Sequence, residues 1–288
     1  MSGFIKVFQR PIYVVGLPRS GTTWVASVLN TAKGIKYFHE PFNYKTVPNA
    51  ASHFMEYLRA TNDNPKFARH WHDALSGRTK GHHVNKRLLW PYKRFRWWPG
   101  RVVIKDINTC MALAWTYQHI RPHIIIVMRH PCGVASSWFR MNWTEIRGIQ
   151  RLLNQSRLME DYLNPFEYLL KGAQDFWQKI GAYWGAVYYV MLQQQQKQPH
   201  WIVIQHEKLC RDSIGQYRKL FSELNLSWTA ETDNMLNTST KRHSNLPYVP
   251  ERISSQEPDK WKAEMNHWQI EYVREFVKPF RIDAYHDF

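Results

Sequence analysis

The sequence predicts an α/β fold in three layers, a central parallel sheet flanked by helices. Three observations carry that prediction. An apolar run, a glycine-containing loop and a helical pattern follow one another over residues 11–32. Short β-branched runs then alternate with longer helical patterns, the order that builds a parallel sheet covered on both faces. Hydrophobic residues make up 44% of the 288 positions, enough for a sizeable core, so disorder is not the default. The expectation is one large domain over 1–288.

The elements follow in order. "PIYVVG", bounded by Pro11 and Gly16, reads as the first strand, and "TTWVASVLNTA" carries Trp24, Val25, Val28 and Leu29 at helical spacing. "GIKYFHEP" is a second strand stopped by Pro41. Residues 42 to about 100 break the alternation. No acidic residue lies between Asp73 and Asp106, while eight lysines and arginines and five aromatics fall within Arg78–Arg101. That stretch reads either as a solvated insertion whose cations cover aromatic surface or as an acceptor-binding region or lid for something anionic. Alternation then resumes with the strand "RVVIKD", a helix over 109–119, the buried strand "HIIIVMRHP" and a helix starting in "CGVASSWFRM". An aromatic-rich helical stretch over about 166–197 leads to the strand "WIVIQHE", a helix over 213–224 and a terminal helix near 267–278.

Lysine and arginine outnumber acids 39 to 23, a formal charge of +16, which favours an anionic partner without choosing one. Cys110, Cys132 and Cys210 are odd in number and far apart, which argues against a disulfide scaffold and a zinc site. No apolar run reaches the ~18 residues of a membrane span. A cytoplasmic protein is expected, with peripheral contact to a membrane surface compatible with its charge.

"GLPRSGTTW", residues 16–24, reproduces the phosphate-loop frame G-x-x-x-x-G-K-[ST] except that Thr22 stands where lysine belongs. Amides after a strand, aimed from the start of a helix, bind an anion without that lysine. Gly21 admits the close approach, Ser20, Thr22 and Thr23 add hydroxyls, and Arg19 supplies a charge able to grip two oxygens. A P-loop-like architecture is expected. A Mg-dependent P-loop kinase would need its lysine and a metal-binding acid; Asp106, ending "VVIKD", is the one candidate. Arg129 ends a buried strand, where α/β sheets bind ligands, and Ser137 follows eight residues later on a helix.

"PRSGTTW" followed by "MRHPCGVASSW" resembles the two phosphate motifs of sulfotransferases that use 3′-phosphoadenosine 5′-phosphosulfate (PAPS). The resemblance covers the framework, roughly 10–40, 100–145, 200–225 and 250–265. It implies PAPS as donor, 3′,5′-ADP as product and no metal. It assigns Arg19, Ser20, Gly21, Thr22 and Thr23 to the 5′-phosphosulfate, and Arg129 and Ser137 to the 3′-phosphate. Trp24 matches a position that stacks on adenine, and it reads equally as a core tryptophan. His206, in "IQHEKL", replaces a tyrosine near adenine in many members. Lys260, in "PDKWKAEM", resembles a segment that closes over the nucleotide.

For the chemistry, Arg19 and Lys105 are the positive groups. The resemblance implies Glu40, 21 residues after Arg19, as catalytic base in the manner of carbohydrate and tyrosylprotein sulfotransferases. That role asks for a pKa raised by partial burial. Capping or an ion pair with Arg19 is the other reading of Glu40. Strand alternation should turn His39 away from it. His82 and His83, in the insertion, are candidate acceptor contacts or substitute bases. The expected reaction moves a sulfuryl group to an acceptor hydroxyl, the acceptor being a carbohydrate, glycolipid or other large hydroxylated molecule, with an anionic glycan or lipid in view. A kinase and a basic nucleic-acid or membrane-surface module are the alternatives; no nucleic-acid motif supports the latter.

Overall fold

Two strand-forming runs with no polar interruption set the frame. Ile12–Val15 forms β1 and His123–Met128 forms β4, and their side chains are buried on both faces except for the half-buried His123. A computed structural model describes residues 9–47, 49–79, 100–241 and 257–285 of the chain. Adding β2 (Ile35–His39), β3 (Arg101–Asp106) and β5 (Ile202–Gln205) gives an all-parallel sheet in the order β2-β3-β1-β4-β5.

The period of two sorts each strand into two cores. Tyr13, Val15, Ile104 and Ile126 face one core, and Ile12, Val14, Val103 and Ile125 face the other. The first core is covered by α2 (Pro65–Leu75), α3 (Leu113–Ile120), α4 (Pro131–Arg140) and the long α5 (Phe176–Gln196). The second is covered by α1 (Thr22–Leu29), α6 (His206–Arg211), α7 (Ser213–Glu223) and α8 (Ala230–Lys241). This is the predicted three-layer arrangement, P-loop-like in its strand order. The connection leaving β1 runs to the edge strand β2, whereas that leaving β4 runs the other way to β5. The crevice for a ligand therefore opens at the carboxyl ends of β1 and β4.

Several elements depart from the sequence reading. Part of the stretch read as an insertion packs into the core. The Asn64 side chain caps α2 at Phe67 N, 3.0 Å, and Pro65 starts the helix. Trp71 meets Tyr13 edge-on at 5.0 Å, Phe67 meets Trp115 at 4.9 Å, and Trp115 Nε1 donates to Asn62 O at 2.9 Å. The basic aromatic run over 80–99, with His82 and His83, lies outside the described residues. The helical stretch at 166–197 is two helices: Glu167–Gly172 stops at an extended Ala173, and a capping box between Asp175 and Gln178 starts α5 afresh. Helix α8 was not anticipated; the buried Thr232 hydroxyl ties it to Thr31 at 2.7 Å.

The last two α-helices among the described residues are α9 (Lys260–Glu264) and α10 (His267–Val277). The first fastens back onto the carboxyl end of β4, and the second packs along α5. Trp261 stacks on His130 with ring centres 4.5 Å apart, and Glu264 bonds Ser136 and Arg140. The three cysteines are free and buried. Among the described residues no helix is long and apolar enough to cross a membrane, and no cluster of histidine, cysteine and acid is arranged to hold a metal.

Candidate active site

The loop after β1 is drawn tight by close backbone contacts. A Cβ at Gly16 would stand 2.3 Å from Val127 O, so β1 leaves the sheet with no room for a side chain. Arg19 is left-handed (φ 72), Ser20 N closes a turn on Leu17 O at 3.2 Å, and Gly21 is left-handed again (φ 94). Helix α1 then begins at Thr22 with no side-chain cap, and the Val25 amide is the first to bond back, to Gly21 O at 3.1 Å. The amides of 22–24 thus have no acceptor within the helix and carry its positive end. A left-handed residue that is not glycine costs energy, and such strain gathers at functional sites.

The loop's support comes from helices that sequence reasoning passed over. The Tyr188 hydroxyl, on α5, donates to Val127 O (2.9 Å) and receives Leu17 N (3.3 Å) and the Ser20 hydroxyl (2.7 Å). Trp138 Nε1 donates to Pro18 O at 3.0 Å. The hydroxyl of Ser20 was expected to face the anion; it is fully buried and turned onto Tyr188, so it props the loop instead. Thr22 is buried and Thr23 half-buried at the start of α1. Trp24 is 8% exposed and packs in the second core, edge-on to Tyr217 (5.4 Å) and His206 (6.1 Å). The His206 ring lies directly over Gly21, where a Cβ would meet it at 2.5 Å.

At the end of β4 the second motif folds onto the first. Arg19 Nε donates to Ser137 Oγ at 2.9 Å, and Arg129 Nη1 donates to Arg19 O at 3.2 Å. Arg129 Nη2 also reaches the Glu257 carbonyl at 3.4 Å and its carboxylate Oε2 at 3.6 Å. Lys260 Nζ stands 3.7 Å from the other oxygen of that carboxylate. So Arg19, Ser137, Arg129 and Lys260, spread over more than 200 residues of sequence, converge beside the start of α1. Trp184 Nε1 on Arg129 O (3.0 Å) and Glu207 Oε1 on His130 N (2.8 Å) fix the strand end. Burial, with the charges of Lys262 and Arg129, pushes the His130 imidazole down to about 3, so it stays neutral beneath Trp261.

A second cluster forms at the ends of β2 and β3, where His39 and Lys105 are register partners. Lys105 Nζ bonds Glu40 Oε1, Asn43 Nδ2 donates to Glu40 Oε2 at 2.7 Å, and both charged residues are buried. Glu40 is left-handed (φ 49), with its amide on Lys105 O at 2.7 Å. That turn ends the strand alternation and corrects the expectation for His39. The imidazole takes a 2.6 Å hydrogen bond with Tyr37 and brings Nε2 to 3.6 Å from Glu40 Oε1. The anticipated rise in the Glu40 pKa is also corrected. Burial does push it up, but the charges of Lys105 and His39 and the bonds from Lys105 and Asn43 outweigh that and hold it at about 2.

Asp106 is closed to a metal. It is fully buried, Oδ2 receives Phe42 N at 2.9 Å, and Oδ1 receives Asn108 N at 2.6 Å. Burial and then the Glu40 charge raise its pKa to about 6. Its work is to pin the segment carrying Glu40 against the end of β3.

The family described as the sulfotransferase family matches residues 11–230 of the chain. Among solved structures, the sulfotransferase domain from the curacin biosynthetic pathway superposes with a TM-score of 0.52 at 14% identity, covering 93% of this chain and 97% of that one. The mouse sulfotransferase SULT7A1 complexed with PAP gives 0.50 at 13% identity, covering 94% and 84%. At such identities these likenesses describe the fold. No curated protein matches the sequence.

Proposed function

Because the chain belongs to the sulfotransferase family, we propose that it moves the sulfuryl group of PAPS to an acceptor hydroxyl by in-line displacement. In that reaction the sulfur–oxygen bond to the 5′-phosphate breaks, a bond to the acceptor oxygen forms, and the acceptor proton leaves. The observation that carries the donor assignment is the convergence of Arg19, Ser137, Arg129 and Lys260 beside the uncapped start of α1.

Each residue then has a task. The amides at 21–24 and the hydroxyls of Thr22 and Thr23 hold the 5′-phosphosulfate with Arg19, a guanidinium that stays charged at any working pH. Arg129, Ser137 and Lys260 hold the 3′-phosphate, which distinguishes this donor from ATP. Trp24 and His206 border the base. Lys105, once it shares its charge with the donor as well as with Glu40, supplies positive charge where negative charge grows in the transition state.

Glu40 is the base, and its pairing decides when. Held at about 2 by Lys105, its carboxylate is too weak to take a proton from a hydroxyl. When Lys105 shares its charge with a second anion, the lowering influence fades and burial pushes the carboxyl up. Binding of the donor therefore strengthens the base. The fixed Asp106 speaks against a Mg-dependent kinase, since its oxygens are already taken by backbone amides.

The acceptor we favour is a carbohydrate, glycolipid or other large hydroxylated molecule, an anionic glycan or lipid among them. Its support is the Arg19 and Glu40 pattern and the charge of +16. The test incubates the protein with labelled PAPS and panels of glycans, glycolipids and phenols, beside melting curves with 3′,5′-ADP and Mg–ATP. Label on a sugar hydroxyl with stabilisation by 3′,5′-ADP is the expected result. Label on phenols alone would move the acceptor class, and stabilisation by Mg–ATP alone would end the donor assignment.

A further inference from the structure

Glu257 is a buried carboxylate that the reaction does not use, and it stands among the cations that do. Its Oε2 lies 3.6 Å from Arg129 Nη2 and its Oε1 lies 3.7 Å from Lys260 Nζ. Its side chain is only 11% exposed. Both distances exceed the 2.7–2.9 Å of a charge-assisted hydrogen bond. The carboxylate neutralises the two cations without closing a tight bond to either. A phosphate dianion on the same two groups would close such bonds.

The position is held from the far side. Trp261 on His130 and Glu264 on Ser136 and Arg140 dock the 257–264 segment onto the strand end and α4. Bringing a phosphate to Arg129 and Lys260 therefore sets two like-charged groups side by side in a buried place. Repulsion there is stronger than in water because the dielectric is low. The cost falls on ligands bearing a 3′-phosphate and spares those with a 3′-hydroxyl.

We infer that Glu257 is a specificity-determining residue that competes with the 3′-phosphate for Arg129 and Lys260 and so loosens the grip on donor and spent nucleotide alike. The inference rests on the donor assignment above. A weaker hold on the bisphosphate also favours its release, so turnover limited by that step should fall when the carboxylate is neutralised.

The test is calorimetric titration of the wild type, Glu257→Gln and Glu257→Ala with 3′,5′-ADP and with 5′-AMP, each variant's melting temperature being recorded. The expected result is about tenfold tighter 3′,5′-ADP binding by Glu257→Gln, with 5′-AMP affinity within twofold of wild type. Glu257→Ala should tighten 3′,5′-ADP in the same direction if the smaller side chain leaves the melting temperature intact. Unchanged or weaker 3′,5′-ADP binding in a folded Glu257→Gln overturns the inference, the weaker result meaning that the carboxylate orients Arg129 instead. Should the wild type itself fail to prefer 3′,5′-ADP over 5′-AMP, the donor assignment is what falls.

Discussion

The two halves of the crevice handle positive charge in opposite ways. At β1 and β4, Arg19 bonds a serine hydroxyl and Arg129 bonds backbone carbonyls, with the Glu257 carboxylate near but not in hydrogen-bond contact. At β2 and β3, Lys105 is in direct contact with the buried Glu40 carboxylate. A guanidinium whose carboxylate neighbour stands beyond hydrogen-bond distance can exchange it for an incoming dianion. A lysine whose charge is cancelled by contact must change partners before it can act. On the proposed reading, binding and proton transfer are separated, and the state of the second half is set by what the first binds.

Breaking the buried pair is the strongest probe of this contrast. Lys105→Ala leaves the Glu40 carboxylate buried without its nearest cation, which should cost about 3–5 kcal/mol in urea unfolding. Sulfuryl transfer should fall at least ~100-fold, the scale seen when one donor to a developing charge is removed. A loss under about 1 kcal/mol would mean that the two halves do not differ as drawn.

Next in size is the acid limb of stability. Glu40 falls from 4.5 to about 2 on folding, so its contribution is complete above the unfolded value and is lost as pH drops toward about 2. That shift corresponds to roughly 3 kcal/mol. Asp106, raised to about 6 chiefly by burial, has the opposite sign and recovers stability as pH falls through 6 to 4. Urea melts of wild type and Glu40→Gln from pH 7 to 2.5 should keep a constant gap above pH 4.5 and converge below it, with the variant lacking the steep loss. Parallel curves would show that Lys105 does not hold the carboxylate.

The binding half is tested by Arg129→Ala. Losing charged hydrogen bonds worth about 1.5–3 kcal/mol should weaken 3′,5′-ADP binding about 10- to 100-fold. Affinity for 5′-AMP should stay within twofold, and the acid limb just described should be unaltered. Equal losses for both nucleotides would place Arg129 away from the 3′-phosphate.

The same contrast governs what the sequence disclosed. The proposed binding half could be singled out because its motifs are local: a glycine loop opening a helix, and an arginine and serine at fixed spacing after a strand. The parallel sheet was readable too, since buried strands such as "HIIIVM" announce themselves. Hidden were the consequences of long-range packing. Helix α2 lay in a stretch that looks polar, although Asn64 and Pro65 form a start signal for it. The capping box at Asp175 was visible in "DFWQ" and would have divided the long helix correctly. Glu40 was singled out, but its ion pair with Lys105, 65 residues on, and its left-handed turn arise only when β2 and β3 lie side by side. His39 was misplaced for that reason. No pattern in the sequence marked Tyr188, a tyrosine among many on an aromatic helix.

Tyr188 offers the smallest and sharpest perturbation, because it touches one half of the crevice alone. Its hydroxyl spends one proton on Val127 O and both lone pairs on Leu17 N and Ser20 Oγ, so every capacity it has is used to tie the loop to β4. Tyr188→Phe keeps the ring and leaves those three groups buried without it, a cost of about 1–3 kcal/mol. A looser loop aims its amides less well, so 3′,5′-ADP and 5′-AMP should both weaken, each about three- to tenfold. That shared loss distinguishes it from Arg129→Ala, which spares 5′-AMP. The acid limb owed to Glu40 should keep its shape, since Lys105 and Asn43 are untouched. Ser20→Ala should reproduce part of the effect, and a double variant no worse than Tyr188→Phe alone would show that the two hydroxyls act through one bond. If Tyr188→Phe instead shifts the acid limb, the halves are mechanically joined through the sheet and the separation of binding from proton transfer fails.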